Sequence, residues 1–289
     1  MNDDALRRPS LDALRRALEA SRARRWAVPH PGEVTATLGE APHAGLCPRT
    51  LRVLVWNVYK GRRRSFAPQF RALAADRDLI LAQELMFEDD THALLGELEV
   101  EWTTATSFTY ARRAHAGTGL GTAARASTLR TLALQTQGRE PLTRTPKLAL
   151  LTEYRLASPA PSRAPAPAVD TSEPTLLVAN VHAINFAGYA NFEAQLDHIE
   201  GALATHRGPA LLAGDFNTWT TRRLRKLEGL MRAVGLDPVA FAEDRRSTPL
   251  DHAFVRELEV LDSRVHHSRA SDHAALSFEL SLPRLPEPA

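Results

Sequence analysis

The sequence predicts an α/β sandwich, with two β-sheets packed face to face and helices covering their outer sides. Three observations lead there. Short strands of almost wholly apolar character recur along the chain, as in Leu51–Asn57, 78–84, 175–182 and 210–217, which is the pattern of strands buried on both faces. Segments of helical periodicity follow several of them. Polar residues gather at the strand ends, where a sandwich can bring distant parts of a sequence into one cleft.

Taken in order, residues 1–48 read as an N-terminal helical and extended extension, and 49–289 as the main domain. Leu11, Leu14 and Leu18 recur at helical spacing between arginines and predict a short amphipathic helix at about 10–21. Pro29, Pro31, Pro42 and Pro48 then impose extended chain. After the first strand at 51–57 come a helix at 67–76, a strand at 78–84 and a helix at 90–98. The stretch 102–156 reads as strands, with Gly117, Gly119 and Gly121 expected to bend the chain. Residues 157–174 hold five prolines among Ala and Ser and predict an irregular surface loop. A strand at 175–182, a helix at 188–206, a strand at 210–217 and a helix at 221–234 follow. Three strands close the chain near 250–256, 258–267 and 274–281. No repeat of 20–50 residues is evident.

Composition excludes some classes and leaves others open. No apolar run approaches the roughly 18 residues that a membrane span needs, and no apolar leader precedes a cleavage site. Cys47 is the only cysteine, so no intramolecular disulfide can form. The expectation is a monomeric cytoplasmic protein. The 36 basic and 34 acidic residues leave a net charge of only +2, which does not mark a nucleic-acid binder. Arginines nevertheless cluster at 7–25, 62–64 and 222–225, and local patches can attract phosphate. Most of these arginines read as solvated surface.

The chemistry lies in polar groups at strand ends: Asn57, Glu84, His182, Asp215 with Asn217, and Asp251 with Asp272-His273. Carboxylate and amide oxygens suit a hard divalent cation, and histidines suit proton transfer or charge stabilisation. The near absence of cysteine argues against structural zinc. In sequence these read Trp-Asn57, Gln-Glu84, Asn-Val-His182, Gly-Asp-Phe-Asn217, Leu-Asp251 and Ser-Asp-His273. In that order they resemble the motifs of the endonuclease/exonuclease/phosphatase superfamily, the DNase I-like hydrolases. Asn57-Val-Tyr-Lys-Gly, Thr145-Pro-Lys147 and His182-Ala-Ile-Asn-Phe186 resemble a bacterial branch of it.

The resemblance implies a four-layer α-β-β-α sandwich with two packed sheets, mainly antiparallel or mixed, and makes 49–289 the catalytic domain. It implies a phosphoesterase dependent on Mg²⁺ or Mn²⁺. Glu84 is then the principal metal ligand, with Asn57 and Asp272 beside it. Asp215 orients or deprotonates the attacking water, and Asn217 holds the phosphate or that water. His273 contacts the non-bridging oxygens, with Asp251 fixing its tautomer. His182 stabilises developing charge or protonates the leaving oxygen. The identity of the general base stays open. Mg²⁺ neutralises charge as a Lewis acid, which an anionic diester needs more than a strong nucleophile.

Other residues carry two readings. Lys60 and Arg62 to Arg64 either bind substrate phosphate or form a solvated loop. Lys147, at a buried strand start, is expected to reach the cleft. Strand alternation turns His252 away if Asp251 faces inward. His115, His266 and His267 read as incidental, and Trp219 as core packing rather than a platform for a base. The substrate is a phosphate ester, nucleic acid being one candidate. A phosphatase or phosphodiesterase of inositol phosphates or lipid head groups is the alternative. A non-catalytic binding module is disfavoured because every expected position is filled.

Overall fold

The computed structural model describes residues 26–111, 116–156, 174–242 and 244–282. Its first six strands, β1 (Trp26–Ala27), β2 (Thr35–Leu38), β3 (Leu51–Asn57), β4 (Leu79–Phe87), β5 (Glu101–Tyr110) and β6 (Gly117–Ala124), belong to one sheet. The next six form a second sheet: β7 (Thr128–Gln135), β8 (Leu148–Arg155), β9 (Thr175–His182), β10 (Ala210–Asp215), β11 (Asp237–Pro238) and β12 (Asp251–Arg256). The chain then returns to the first sheet with β13 (Glu259–His266) and β14 (Ala275–Ser281). The strand orders are β1-β5-β6-β4-β3-β14-β13, with β2 also on β5, and β11-β12-β10-β9-β8-β7. Among the described residues β3 pairs β4 and β9 pairs β10 in parallel, and the other pairings are antiparallel.

Among the described residues four α-helices flank the sheets: α1 (Phe66–Ala74), α2 (Asp89–Leu95), α3 (Tyr189–Ala204) and α4 (Thr221–Ala233). The two-residue period of each strand sorts its side chains into layers. Leu51, Val53 and Val55 of β3 meet Leu176 and Val178 of β9 and Leu211 and Ala213 of β10 between the sheets. The alternate residues Leu54 and Trp56 turn outward onto Phe66 and Phe70 of α1. Ala179, Val181 and Leu212 turn outward onto Phe192, Leu196 and Leu227 of α3 and α4. Three apolar layers between four structural layers make the protein a four-layer α-β-β-α sandwich, as the resemblance implies.

The same alternation continues to the ends of β3, β9, β10 and β12, so Asn57, His182, Asp215 and Asp251 follow the inner set. Two buried amides bind the sheets just beneath them. Gln83 Nε2 donates to Asn180 Oδ1 at 2.7 Å, and Asn180 Nδ2 donates to Gly121 O at 3.0 Å.

Several details differ from the sequence reading. Gly117, Gly119 and Gly121 do not bend the chain; they lie inside the buried strand β6. A Cβ on Gly119 would stand 1.8 Å from Ala105 O, so only glycine lets β5 lie this close. Within 1–48, the helix expected at 10–21 falls outside the described residues. Residues 26–48, however, are joined to the domain: β1 and β2 hydrogen-bond to β5, and Leu46 sits in the inter-sheet core. Of the loop expected at 157–174, residues 157–173 fall outside the described residues. No described helix is long and apolar enough to cross a membrane.

Candidate active site

The strand register builds the site. Asp215, last residue of β10, pairs with His182, last residue of β9, on one side and with Asp251, first residue of β12, on the other. Three inward side chains are thereby set abreast at one end of the second sheet. The first sheet faces them with Asn57, and Asn57 Nδ2 donates to Asp215 Oδ2 at 3.0 Å. Glu84 arrives by a different device. The pairing of β4 with β6 shifts register between Gln83 and Leu85, and the extra residue, Glu84, adopts a φ of 55°. Such a bulge re-aims one side chain out of alternation.

The cluster lies in a cavity of about 1040 Å³, at the upper end of the range for small-molecule sites. Five of the seven non-glycine residues with positive φ among the described residues line it: Tyr59, Lys60, Glu84, Phe186 and Asn217. Conformations of this kind persist where the surroundings over-determine them, and they cluster at functional sites.

Two histidines converge on Asp215. His182 Nε2 is 3.5 Å and His273 Nε2 3.8 Å from Asp215 Oδ2. Their charge states differ. Burial lowers His182 well below its ordinary range, Lys147 adds to that, and Glu84 does not offset it. It is therefore neutral at pH 7. Burial also disfavours the cation of His273, but Asp251 overrides it, with Asp215 assisting, and lifts the imidazole to about 10. The geometry explains this: His273 Nδ1 donates to both Asp251 oxygens at 3.0 Å. Burial and the Asp251 carboxylate push Asp215 up to about 7, against His273, the Asn217 backbone N–H and Asn57. Burial raises Glu84 as well, but His182, Lys60 and Lys147 together bring it down to about 2. Because His182 is neutral at pH 7, the lysines are the cations that hold the Glu84 carboxylate there.

Each expected site residue lies on this cavity or one bond from it. Lys60 Nζ donates to Glu84 Oε2 at 2.6 Å, and Lys147 pairs with Glu140 at 3.2 Å. Asp272 is exposed on the cavity wall, and Ser271 joins it to Asn57 by bonds of 3.2 and 2.6 Å. Asn217 is 2% exposed, with Nδ2 on Ala183 O at 2.9 Å and Oδ1 accepting from Trp219 at 3.2 Å. Its backbone N–H donates to Asp215 Oδ1 at 2.9 Å. His252 turns away to Thr218 Oγ1 at 2.8 Å and to Phe216 and Phe254.

Trp219 corrects a sequence expectation. It is not core packing but stands 49% exposed on the cavity wall, beside Phe186. Arg223 corrects another, because it is a buried strut rather than solvated surface. Its guanidinium donates to Ile184 O, Asn217 O and Ala187 O at 3.0 to 3.1 Å and so ties the loop after β9 to the loop after β10. Arg246 was also missed; it donates to Asp251 O at 3.0 Å and lies 3.8 Å from Asp251 Oδ2. Nothing in its local pattern sets Arg246 apart from the neighbouring arginine.

The donor chemistry separates two groups. Asp215, Asp251 and His273 offer ligand atoms within 4.8 Å of one another, close enough to share an ion, which would have to displace the proton from the His273 ring. Glu84 and Asp272 line the same cavity, and Asn57 reaches it through its bond to Asp215; oxygen donors of these types suit a hard divalent cation. Asn57 Oδ1 already accepts from Tyr59 N at 3.1 Å and keeps a second lone pair.

A profile of the Endonuclease/Exonuclease/phosphatase family matches residues 54–273. The chain is 32% identical over 238 residues to a UPF0294 protein of Vibrio campbellii, covering 80% of this chain and 78% of that one. The human Nocturnin catalytic domain, solved with a bound sulfate anion, superposes with a TM-score of 0.61 at 15% identity, covering 89% of this chain and 100% of that one. A mannosyl-6-phosphatase of Bacteroides thetaiotaomicron superposes with a TM-score of 0.56 at 14% identity, covering 80% and 100%. At such identities the two structures show a shared fold.

Proposed function

The chain belongs to the Endonuclease/Exonuclease/phosphatase family, and from that premise we propose that it is a metal-dependent phosphoesterase cleaving phosphodiesters in the manner of a nuclease. The observation that carries this reading is the convergence of a cationic His273 and a neutral His182 on the same oxygen of Asp215, within 3.8 Å. Hydrolysis needs a base for water, positive charge for the non-bridging oxygens and a proton for the leaving oxygen. The cluster supplies all three.

Asp215 titrates near neutrality and takes a proton from the attacking water. As the oxygen–phosphorus bond forms, negative charge builds on the non-bridging oxygens. His273, kept cationic by Asp251, meets that charge without reorganising. The bond to the leaving oxygen breaks, and that oxygen takes the proton held by Asp215 by way of His182, whose Nε2 lies 3.5 Å from Asp215 Oδ2. Asn217 fixes Asp215 through its backbone N–H, and Asn57 fixes the other carboxylate oxygen. Lys60 and Lys147 add positive charge at the cavity for the substrate phosphate. Glu84, Asp272 and Asn57 would hold Mg²⁺ or Mn²⁺, and bound there the cation supplies Lewis-acid polarisation of a phosphoryl oxygen.

The fold shared with a mannosyl-6-phosphatase favours a second reading, hydrolysis of small phosphate esters at the same site. A panel separates the two. With Mg²⁺ or Mn²⁺, bis-p-nitrophenyl phosphate, plasmid DNA, abasic-site duplex and RNA are compared with inositol phosphates and sphingomyelin. Faster turnover of the diesters among the first group is expected. Turnover confined to inositol phosphates or sphingomyelin would replace the first reading by the alternative. No turnover of any substrate would overturn both.

A further inference from the structure

Phe186 and Trp219 occupy the wall of the catalytic cavity in a way that core packing does not explain. Their rings lie nearly parallel, 15° between planes and 6.1 Å between centroids. Phe186 is 68% and Trp219 49% exposed, so two large apolar side chains stand open to solvent on the wall of the cleft. Hydrophobic burial cannot be what keeps them there.

The pair is built in, and from both sides. The Trp219 indole N–H is shared between Asn185 Oδ1 at 3.0 Å and Asn217 Oδ1 at 3.2 Å, so the ring edge is fixed while half of the residue stays exposed. Phe186 holds a φ of 50°, an unfavourable conformation for a bulky residue, while presenting its ring outward. Arg223 pins the carbonyls of Ile184 and Ala187 on either side of this loop, and Asn217 O on the other. Strain maintained to display an exposed ring points to a ligand that uses the ring. The distance to the chemistry is short. Asn217 accepts from Trp219 and donates from its backbone to Asp215, so one residue separates the platform from the reacting groups.

We propose that Phe186 and Trp219 form a stacking subsite for a nucleobase carried by the group esterified to the reacting phosphate, which makes the substrate a nucleotide diester. This rests on the phosphodiesterase reading above and names its substrate class. Two exposed, nearly parallel rings, with the Trp219 edge anchored, select a planar heteroaromatic partner, because base–aromatic stacking uses faces and tolerates any base. The nucleobase can come from a small dinucleotide or from a single nucleic-acid strand, since the platform takes one ring in either case.

The test compares wild type, Phe186→Ala and Phe186→Tyr in Mg²⁺ or Mn²⁺ on three substrates. These are a dinucleoside monophosphate, the same sugar–phosphate diester lacking both bases, and a single-stranded oligonucleotide. Wild type is expected to favour the base-bearing diester in kcat/KM. Phe186→Ala should reduce that preference about tenfold, chiefly through KM, the scale of one lost stacking contact. Phe186→Tyr should restore it. Equal use of dinucleotide and oligonucleotide would assign the site to small nucleotides, and a preference for the longer strand would assign it to nucleic acid. Equal turnover of base-bearing and base-free diesters by wild type, or an unchanged preference in Phe186→Ala, would overturn the proposal.

A binding arm keeps the two proposals separable. Adenosine 5′-monophosphate is titrated into metal-free protein while tryptophan fluorescence is followed. Quenching in wild type that disappears in Trp219→Phe and weakens in Phe186→Ala is expected. If no diester is hydrolysed yet the quenching follows this pattern, the hydrolase reading fails and the subsite stands. Hydrolysis with no quenching difference would retain the hydrolase and remove the subsite.

Discussion

His273 keeps its proton because both oxygens of Asp251 meet its Nδ1 at 3.0 Å in a buried setting. Removing either member removes the same cation, so the pair acts as one unit. His273→Ala should lower kcat roughly 10²-fold or more, the scale of one preorganised electrostatic donor. Asp251→Asn should lower kcat strongly with little change in KM. The double variant should be scarcely worse than the more damaging single one; fully multiplicative losses, or an Asp251→Asn protein of normal turnover, would take Asp251 out of the mechanism. The neighbouring His252 carries a stability prediction instead. Burial lowers it from 6.5 to about 4, with Thr218 on its Nε2. A histidine held neutral when folded must be charged as the pH falls, so its contribution is complete above 6.5 and lost between 6.5 and about 4. Urea unfolding should show wild type losing up to about 3 kcal/mol more than His252→Gln across that window. Parallel curves for the two proteins would contradict it. Residue identities were legible where short motifs carry them, as in Gly-Asp-Phe-Asn217 and Ser-Asp-His273. Arg223, Arg246 and Glu140 were not, because their partners lie on other loops or on carbonyls that no local pattern records.

At the level of single elements, two strands show how backbone conformation aims a side chain. β4 delivers Glu84 through its bulge, and β10 delivers Asp215 directly after Gly214, whose φ is 144°. A Cβ on Gly214 would stand 2.0 Å from Val181 O, against the parallel neighbour β9. Gly214→Ala must therefore push β10 from β9 and disturb the pairing of Asp215 with His182. A loss of roughly 3 kcal/mol or more is expected, a fall in Tm of roughly 6 to 12 °C, with activity lost in parallel; calorimetry showing an unchanged Tm would refute it. The inner strands were legible as unbroken apolar runs, and Leu51–Asn57 and Thr175–His182 match their expected limits. The glycines of β6 misled because their spacing reads locally as flexibility. The cause at Gly119 is the close approach of the β5 backbone, and at Gly121 the Leu85 side chain of β4, contacts made only in the folded sheet.

Across the whole molecule, the site exists because two sheets end together. Asn57 and Glu84 come from one sheet, His182, Asp215 and Asp251 from the other, and Asp272 and His273 precede the last strand as the chain returns to the first. That convergence was legible in the ordered motifs. The attachment of residues 26–48 was not, since β1 and β2 are short edge strands with no periodic signal, and their place depends on the free edge of β5. If the assembled carboxylates and amide serve a cation, protein stripped of metal and checked by elemental analysis should show no phosphodiester hydrolysis in EDTA. Saturable restoration by Mg²⁺ or Mn²⁺ is then expected, with Glu84→Gln requiring far more metal for half-maximal rate. Full turnover by verified metal-free protein in chelator, or an unaltered metal requirement in Glu84→Gln, would contradict the assignment.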